Sequence, residues 1–415
     1  MKKIKTLAMA LFFGLAAITV ASCSDDNDNT AQQSSIALSY TLPDNYSKAT
    51  ATDLSVEFRN INTGRKTAYE LKGDTTIQVE YGLYDIELSG HITYQVNGQE
   101  VTSRLRATQN NVSIATNSQA IALKADAVSA KEGFVIAEIA VSGTLTPDGD
   151  TYESDKYFRI YNNSNDTLYA DGLTIFESAF SNDDPEDYQP NLRDSAFTVN
   201  VAYMIPGSGR EHPVAPGKSL LLVDVGMDHT KTNANSYDLS KADFEWFDDS
   251  EDGEDIDTDV PNLIKIITTD EYGELGPWAP HSRGVKTYAI GYLGDENAKM
   301  TTNEFLEKYK YTYTYTYSYG EYVFDMDGTA YMVPNSWIAD CVNMHPVHME
   351  QSWLCASSSL DAGYAYNSLQ ENDENRYGMV ARRKWDSTAK KLVDTNNSTN
   401  DFDSMVKGNP YYIFK

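Results

Sequence analysis

Residues 309–319 read YKYTYTYTYSY, a tyrosine at every second position with Lys310, Thr312, Thr314, Thr316 and Ser318 between them. An extended strand sends alternate side chains to opposite faces, whereas a helix would scatter the rings around its circumference. The stretch therefore predicts a strand with Tyr309, Tyr311, Tyr313, Tyr315, Tyr317 and Tyr319 on one face. At about 3.3 Å per residue the row is roughly 33 Å long. The same period recurs in shorter runs from Ile36 onward, in IALSYTL, DLSVEFRNI, TTIQVEY and YDIELSGHITYQV. Turn residues separate them, among them Asn62-Thr63-Gly64 and Asn97-Gly98. Strands at this spacing without helical periods between them predict an all-β chain of packed sheets.

Two sandwich domains in tandem are expected. The first covers about residues 36–125. The Ala-rich stretch LKADAVSAKEG, 123–133, loses the alternation and marks the boundary. A second β region opens with GFVIAEIAVSG and continues through DKYFRIYNNSNDTLYADGLTIFES, giving a domain over 132–415. Residues from about 226 to 335 exceed any plain sandwich connection, so they read as an insertion and as the first place to seek a binding site.

The chain opens with Lys2, Lys3 and Lys5, followed by an apolar run from Leu7 to Ala21. That is the layout of a secretory signal, too short and too poorly flanked for a stable membrane span. Residues 23–35 are small, polar and acidic, and read as a flexible tether. The full chain has 33 Lys+Arg against 61 Asp+Glu; losing three lysines with residues 1–22 leaves 30 against 61, a net charge of −31. Such a charge repels nucleic acid and anionic headgroups and excludes both as partners.

Three stretches carry candidate chemistry. The tyrosine row reads either as a packed ladder or as a stacking platform for a glycan, a tetrapyrrole or a catecholate. FDDSEDGEDIDTDVPN packs eight acids into 248–259; aligning Gly253 with an EF-hand glycine puts Asp248, Ser250, Asp252 and Asp259 at loop positions 1, 3, 5 and 12. Ca2+ is the cofactor this pattern suggests, with a solvated acidic loop as the alternative. DCVNMHPVHMEQSWLC holds Cys341 and Cys355, and in an exported chain their simplest fate is a disulfide, worth about 3 kcal/mol on the loop-entropy model. His345 and His348, with Met344 and Met349, are donors that copper, zinc or haem iron accept, although Pro346 separates the histidines. Catalytic patterns are thin. Ser208 lies near His212 in PGSGREH without the strand-turn-helix of a nucleophile elbow, and the chain reads as a binder without enzymatic chemistry.

Several motifs resemble known families. Val20-Ala21-Ser22-Cys23 after the apolar run resembles the lipobox of bacterial lipoproteins, which implies an acylated Cys23. Asp25, Asp26 and Asp28 resemble the export signal of surface lipoproteins, which implies an outer-membrane anchor facing the cell exterior. VEYGLYDIELSG resembles a strand of prealbumin-like sandwiches, the carboxypeptidase-regulatory type. Ile160-Tyr161-Asn162-Asn163-Ser164, then Leu168, Asp171 and Gly172, with VAPGKSLLLVD at 214–224, resemble the lamin-tail-type, immunoglobulin-like domain; that family often has Glu where Arg159 stands here. YGMVARRKWD and LVDTNNSTNDFD look like the close of a bacterial lipoprotein family whose domain has no assigned function. The resemblance implies capture of an extracellular nutrient for a TonB-dependent outer-membrane transporter, or else a structural or adhesive surface protein.

Overall fold

The computed structural model describes residues 32–42, 46–73, 75–128, 133–184, 187–249, 255–270, 273–274, 277–294, 300–349 and 352–415. Cys23 and most of the tether lie outside them. Among the described residues no helix is long and apolar enough to cross a membrane. The chain is all-β.

The first domain is a sandwich of three and five strands. Its smaller sheet runs Thr75–Glu80, Gln33–Thr41, Ser118–Lys124, the last two parallel. The larger runs Lys66–Glu70, Ser47–Asn60, Gly82–Val96, Gln99–Ile114, Asp126–Val128. Alternation decides which face is inside: Val56, Phe58, Ile86 and Leu88 are buried, while Arg59–Asp85, Lys66–Glu57 and Arg106–Glu87 ion pairs cover the outer face. Asn97 and Gly98 have φ of 45° and 84°, the left-handed pair that a two-residue hairpin turn needs. Gly82 has a different reason. The Tyr84 ring folds back over it to donate to the Glu80 carbonyl at 2.9 Å, and a Cβ at Gly82 would meet that ring at 3.1 Å.

The second domain packs two larger sheets. One is six-stranded, in the order Phe244–Glu245, Ser219–Val223, Tyr157–Asn162, Phe134–Ala140, Met379–Arg383, Phe402–Lys407. The other has the order Gly273–Glu274, Ile264–Asp270, Ala196–Met204, Thr174–Ser178, Thr287–Gly291, Ile338–Asn343. Tyr322–Pro334 joins it beside Ala196–Met204 and carries Lys310–Tyr319 as its hairpin partner. Residues 226–335, read from the sequence as an insertion, are woven into this architecture. They supply Ile264–Asp270, Thr287–Gly291 and Tyr322–Pro334 to the second sheet, because their apolar runs are strands that need burial.

That second sheet is covered on both faces, which explains its near-continuous apolar strands. Ile175, Tyr203, Tyr288, Ile290 and Val342 pack with Phe134, Ile136 and Phe158 of the six-stranded sheet. Their alternating neighbours Phe176, Ala202, Ala289 and Cys341 belong instead to the apolar cluster that contains the first domain's core. Polar bonds stitch the same junction: Tyr94 Oη lies 2.8 Å from Ser336 Oγ, to which Ser103 also donates.

Candidate functional site

A cleft of about 820 Å3 opens at the junction of the two domains. Tyr46 and Asp126 of the first sandwich form one wall, Ile338–Cys341 the floor, and residues 391–396 the far rim. Each part is fixed from behind. The Tyr46 ring stacks on Tyr94 with centroids 4.2 Å apart, and its hydroxyl donates to Asp126 at 2.9 Å. Asn163 bonds both backbone groups of Leu392, at 3.0 and 2.8 Å, and so ties the rim to a core strand. Asn397 caps a short helix, Ser398–Asp401, and Asp401 accepts from Thr395 N and Oγ1 at 2.8 and 2.6 Å. These turn and capping side chains return the last strand to its sheet and hold the rim rigid.

Beneath the rim lies a buried arginine. Arg383 donates to Asp340 at 2.6 Å and to Asp394 at 3.2 Å, with Asp401 at 3.5 Å. Burial pushes the Asp340 carboxyl up to about 7, Arg383 opposes that and Asp394 adds to it. One guanidinium thus serves three carboxylates, and Asp394 keeps a third of its side chain exposed at the cleft. Asn335 also lines the cleft; its amide donates to Arg193 O, while its buried Oδ1 has no protein partner among the described residues. The accessible lining carries acceptors and an amide, Asp126, Asp386, Asp394 and Asn396, around an apolar floor of Ile338 and Leu360. Lys391 is the one cation among the described lining residues. Such a surface exchanges hydrogen bonds with hydroxyl groups and lays carbon faces on the floor.

Apart from Cys341 in the floor, the residues singled out from sequence lie elsewhere. The tyrosine row splits. Tyr309, Tyr311 and Tyr313 are buried, Tyr315 is half-buried, and Tyr317 and Tyr319 are 44% and 71% exposed. Tyr311 shares a 2.7 Å hydrogen bond with Thr198, and Tyr313 stands edge-on to Phe180 and Tyr188. Asp248 accepts from Lys265 at 2.8 Å, Asp255 caps the Asp248 N–H, and Asp259 is exposed. Ser250 and Asp252 lie outside the described residues. His345 is buried against Tyr364 and His348 is exposed, so the two rings face different surroundings.

The disulfide expectation is corrected. Cys341 and Cys355 are free, and no disulfide joins them. Both thiols are packed in the apolar cluster between the domains, where burial raises the Cys341 thiol far up and the Cys355 thiol to about 12. Ser208 does not engage His212; its hydroxyl donates to Glu211 at 2.6 Å. Asp171, Glu211 and His212 do converge, but Asp171 spends its carboxylate on the N–H groups of Gly209, Glu211 and His212 at 2.8–3.0 Å. A Cβ at Gly207 would collide with that carboxylate, which makes Asp171 the clamp of a tight loop.

The cleft itself escaped the sequence. Its lining is drawn from both domains and from the last 80 residues, and the one signal was the dense Asn/Asp/Ser/Thr run at 394–401. Comparison with known proteins gives the family context. A crystal structure of a DUF4876 family protein from Bacteroides thetaiotaomicron VPI-5482 is similar at 20% identity, with a TM-score of 0.55 over 92% of this chain and 98% of that one. A mutant form of the major pilin of Streptococcus pyogenes pairs at 9% identity over 74% of this chain and 96% of that one, but its TM-score of 0.13 carries no argument. No curated protein matches the chain. Residues 215–409 match the family described as a protein of unknown function, DUF4876, and the chain shares its all-β fold with that Bacteroides protein.

Proposed function

We propose that this chain is a lipid-anchored protein of the outer membrane, facing the cell exterior, that captures a polyhydroxylated ligand of the glycan class in the interdomain cleft. The single observation behind this reading is the cleft's lining: acceptors and amides held rigid around an apolar floor, at a domain junction. No histidine is among the described lining residues, which argues for a glycan over a tetrapyrrole. In this reading Cys23 carries the acyl chains, prealbumin-like and lamin-tail-type modules form the cleft between them, and a TonB-dependent transporter receives the ligand. The protein performs no chemistry on what it holds.

Calorimetric titration with a panel of neutral oligosaccharides tests the cleft. Ala389 lines it from an exposed turn, so Ala389→Trp fills the mouth without touching the core. Binding should weaken at least about tenfold, roughly the loss of one good contact, with the melting temperature unchanged. A panel without any binder, or affinity indifferent to Ala389→Trp, sinks the proposal. The anchor has its own test: Cys23→Ala should leave the membrane fraction, and persistence there after a high-salt wash would exclude it. A second reading, that of an adhesive surface protein, draws on the exposed half of the tyrosine hairpin.

A further inference from the structure

The hairpin of Lys310–Tyr319 and Tyr322–Pro334 leaves the sheet as a free ribbon. Only Tyr331–Pro334 pairs with Ala196–Met204. On the other edge, among the described residues, Gln189 bridges Thr314 through two 2.8 Å hydrogen bonds, and strand pairing stops there. Beyond that point cross-strand register puts Tyr315 opposite Met326, Tyr317 opposite Phe324, and Tyr319 opposite Tyr322. Directly opposed residues share a face. One face of the ribbon is thus apolar throughout, and the other carries Thr314–Asp327, Thr316–Asp325 and Ser318–Val323.

The apolar face is bare. Tyr317, Tyr319, Tyr322 and Phe324 are 44%, 71%, 69% and 47% exposed. With about 200 Å2 per aromatic side chain, these four rings leave on the order of 450 Å2 uncovered, the size of the largest and often functional apolar patch on a typical monomer. Two such faces together amount to on the order of 900 Å2, close to the roughly 1,000 Å2 at which a specific interface begins.

We propose that this face is an isologous contact joining two copies of the chain, ribbon against ribbon, about a twofold axis. About a twofold axis such an apolar face meets its own copy, and the antiparallel arrangement keeps Glu321, Asp325 and Asp327 in water. A bilayer is the poorer occupant, because Glu321 sits at the turn and would have to enter it first. The contact is weak enough to depend on concentration, and salt tightens it by screening the net charge of −28 on each chain.

Sedimentation equilibrium of the purified full chain, from about 1 to about 200 µM, reads the association. Wild type should pass from monomer to dimer across that range, earlier at high salt. Tyr319→Thr with Tyr322→Thr should weaken the dimer at least about 30-fold, the loss expected for one hot-spot pair, while the melting curve at about 1 µM, where the chain is monomeric, stays close to that of wild type. A monomer at every concentration overturns the proposal. So does a dimer indifferent to the double variant, or a monomer whose ribbon binds zwitterionic vesicles instead.

Discussion

The two halves of the tyrosine row share one sequence period and meet opposite fates. Tyr309, Tyr311 and Tyr313 sit in the cluster that joins the domains, whereas Tyr317 and Tyr319 stand in water. The covering comes from elsewhere in the chain. Phe180 and Tyr188 stack at 3.6 Å and close over Tyr313, with Trp353 alongside, while Gly328 opposite supplies the space that its ring fills. Alternation chooses which residues share a face; the partners laid on that face decide whether it is core or surface.

The sharpest way to break this contrast is Tyr313→Ala. Removing a buried aromatic costs about 3–5 kcal/mol, so the variant should melt many degrees lower or fail to express, as scanning calorimetry would report. A loss below about 1 kcal/mol would mean the ring is no part of the core. Tyr188→Ala attacks the cover instead of the row. Its ring stacks on Phe180 and leans on Tyr315 at 5.5 Å, and its loss should cost about 1–2 kcal/mol through lost stacking and area. Denaturant melts would read that cost. An unchanged midpoint would show that the proximal rings are held without the 187–189 segment.

Strands, turns and the all-β class were legible because period-2 alternation and φ-positive turn residues are local signals. Asn97-Gly98 needed no tertiary knowledge. The second sheet was legible only in part. Thr287–Gly291 is buried on both faces, so it shows no alternation, and distance in sequence made it look like insertion. The Cys341–Cys355 pairing followed only from reading the chain as exported, and spacing carries no geometry. The cleft was hardest, since Tyr46, Asp126, Asp340 and Asp394 meet only after both domains have formed. Within it, only the capping run that ends at Asp401 announced itself, through residue types that bond their own backbone.

Tyr311→Phe probes the polar side of the proximal half. It deletes one hydroxyl and leaves Thr198 short of a buried partner, which should cost about 1 kcal/mol at neutral pH. Burial raises the Tyr311 phenol above its ordinary value near 10, against the pull of Thr198. The unfolded chain therefore releases that proton first as pH rises past about 10. This group's stabilisation is complete below that pH and declines above it. The Phe variant should lose less stability than wild type between neutral and strongly alkaline pH, and a parallel decline in both would remove Tyr311 from the alkaline transition.

The smallest expected effect is the most informative about the distal half. Tyr319 is 71% exposed beside the turn at Gly320, and its neighbour across the ribbon, Tyr322, is 69% exposed. Thr is as good a strand former as Tyr, so Tyr319→Thr keeps the hairpin and loses at most one cross-strand contact, worth about 0.2–1 kcal/mol. At about 1 µM, where the proposed dimer is dissociated, urea unfolding of this variant should fall within about 0.5 kcal/mol of wild type. A loss above about 1.5 kcal/mol at that concentration would mean that the ring is covered within a single chain. The two halves of the row would then be one core, and the contrast between them would fall. If the loss instead grows with protein concentration, the covering comes from a second chain, and the same substitution measures both halves of the argument at once.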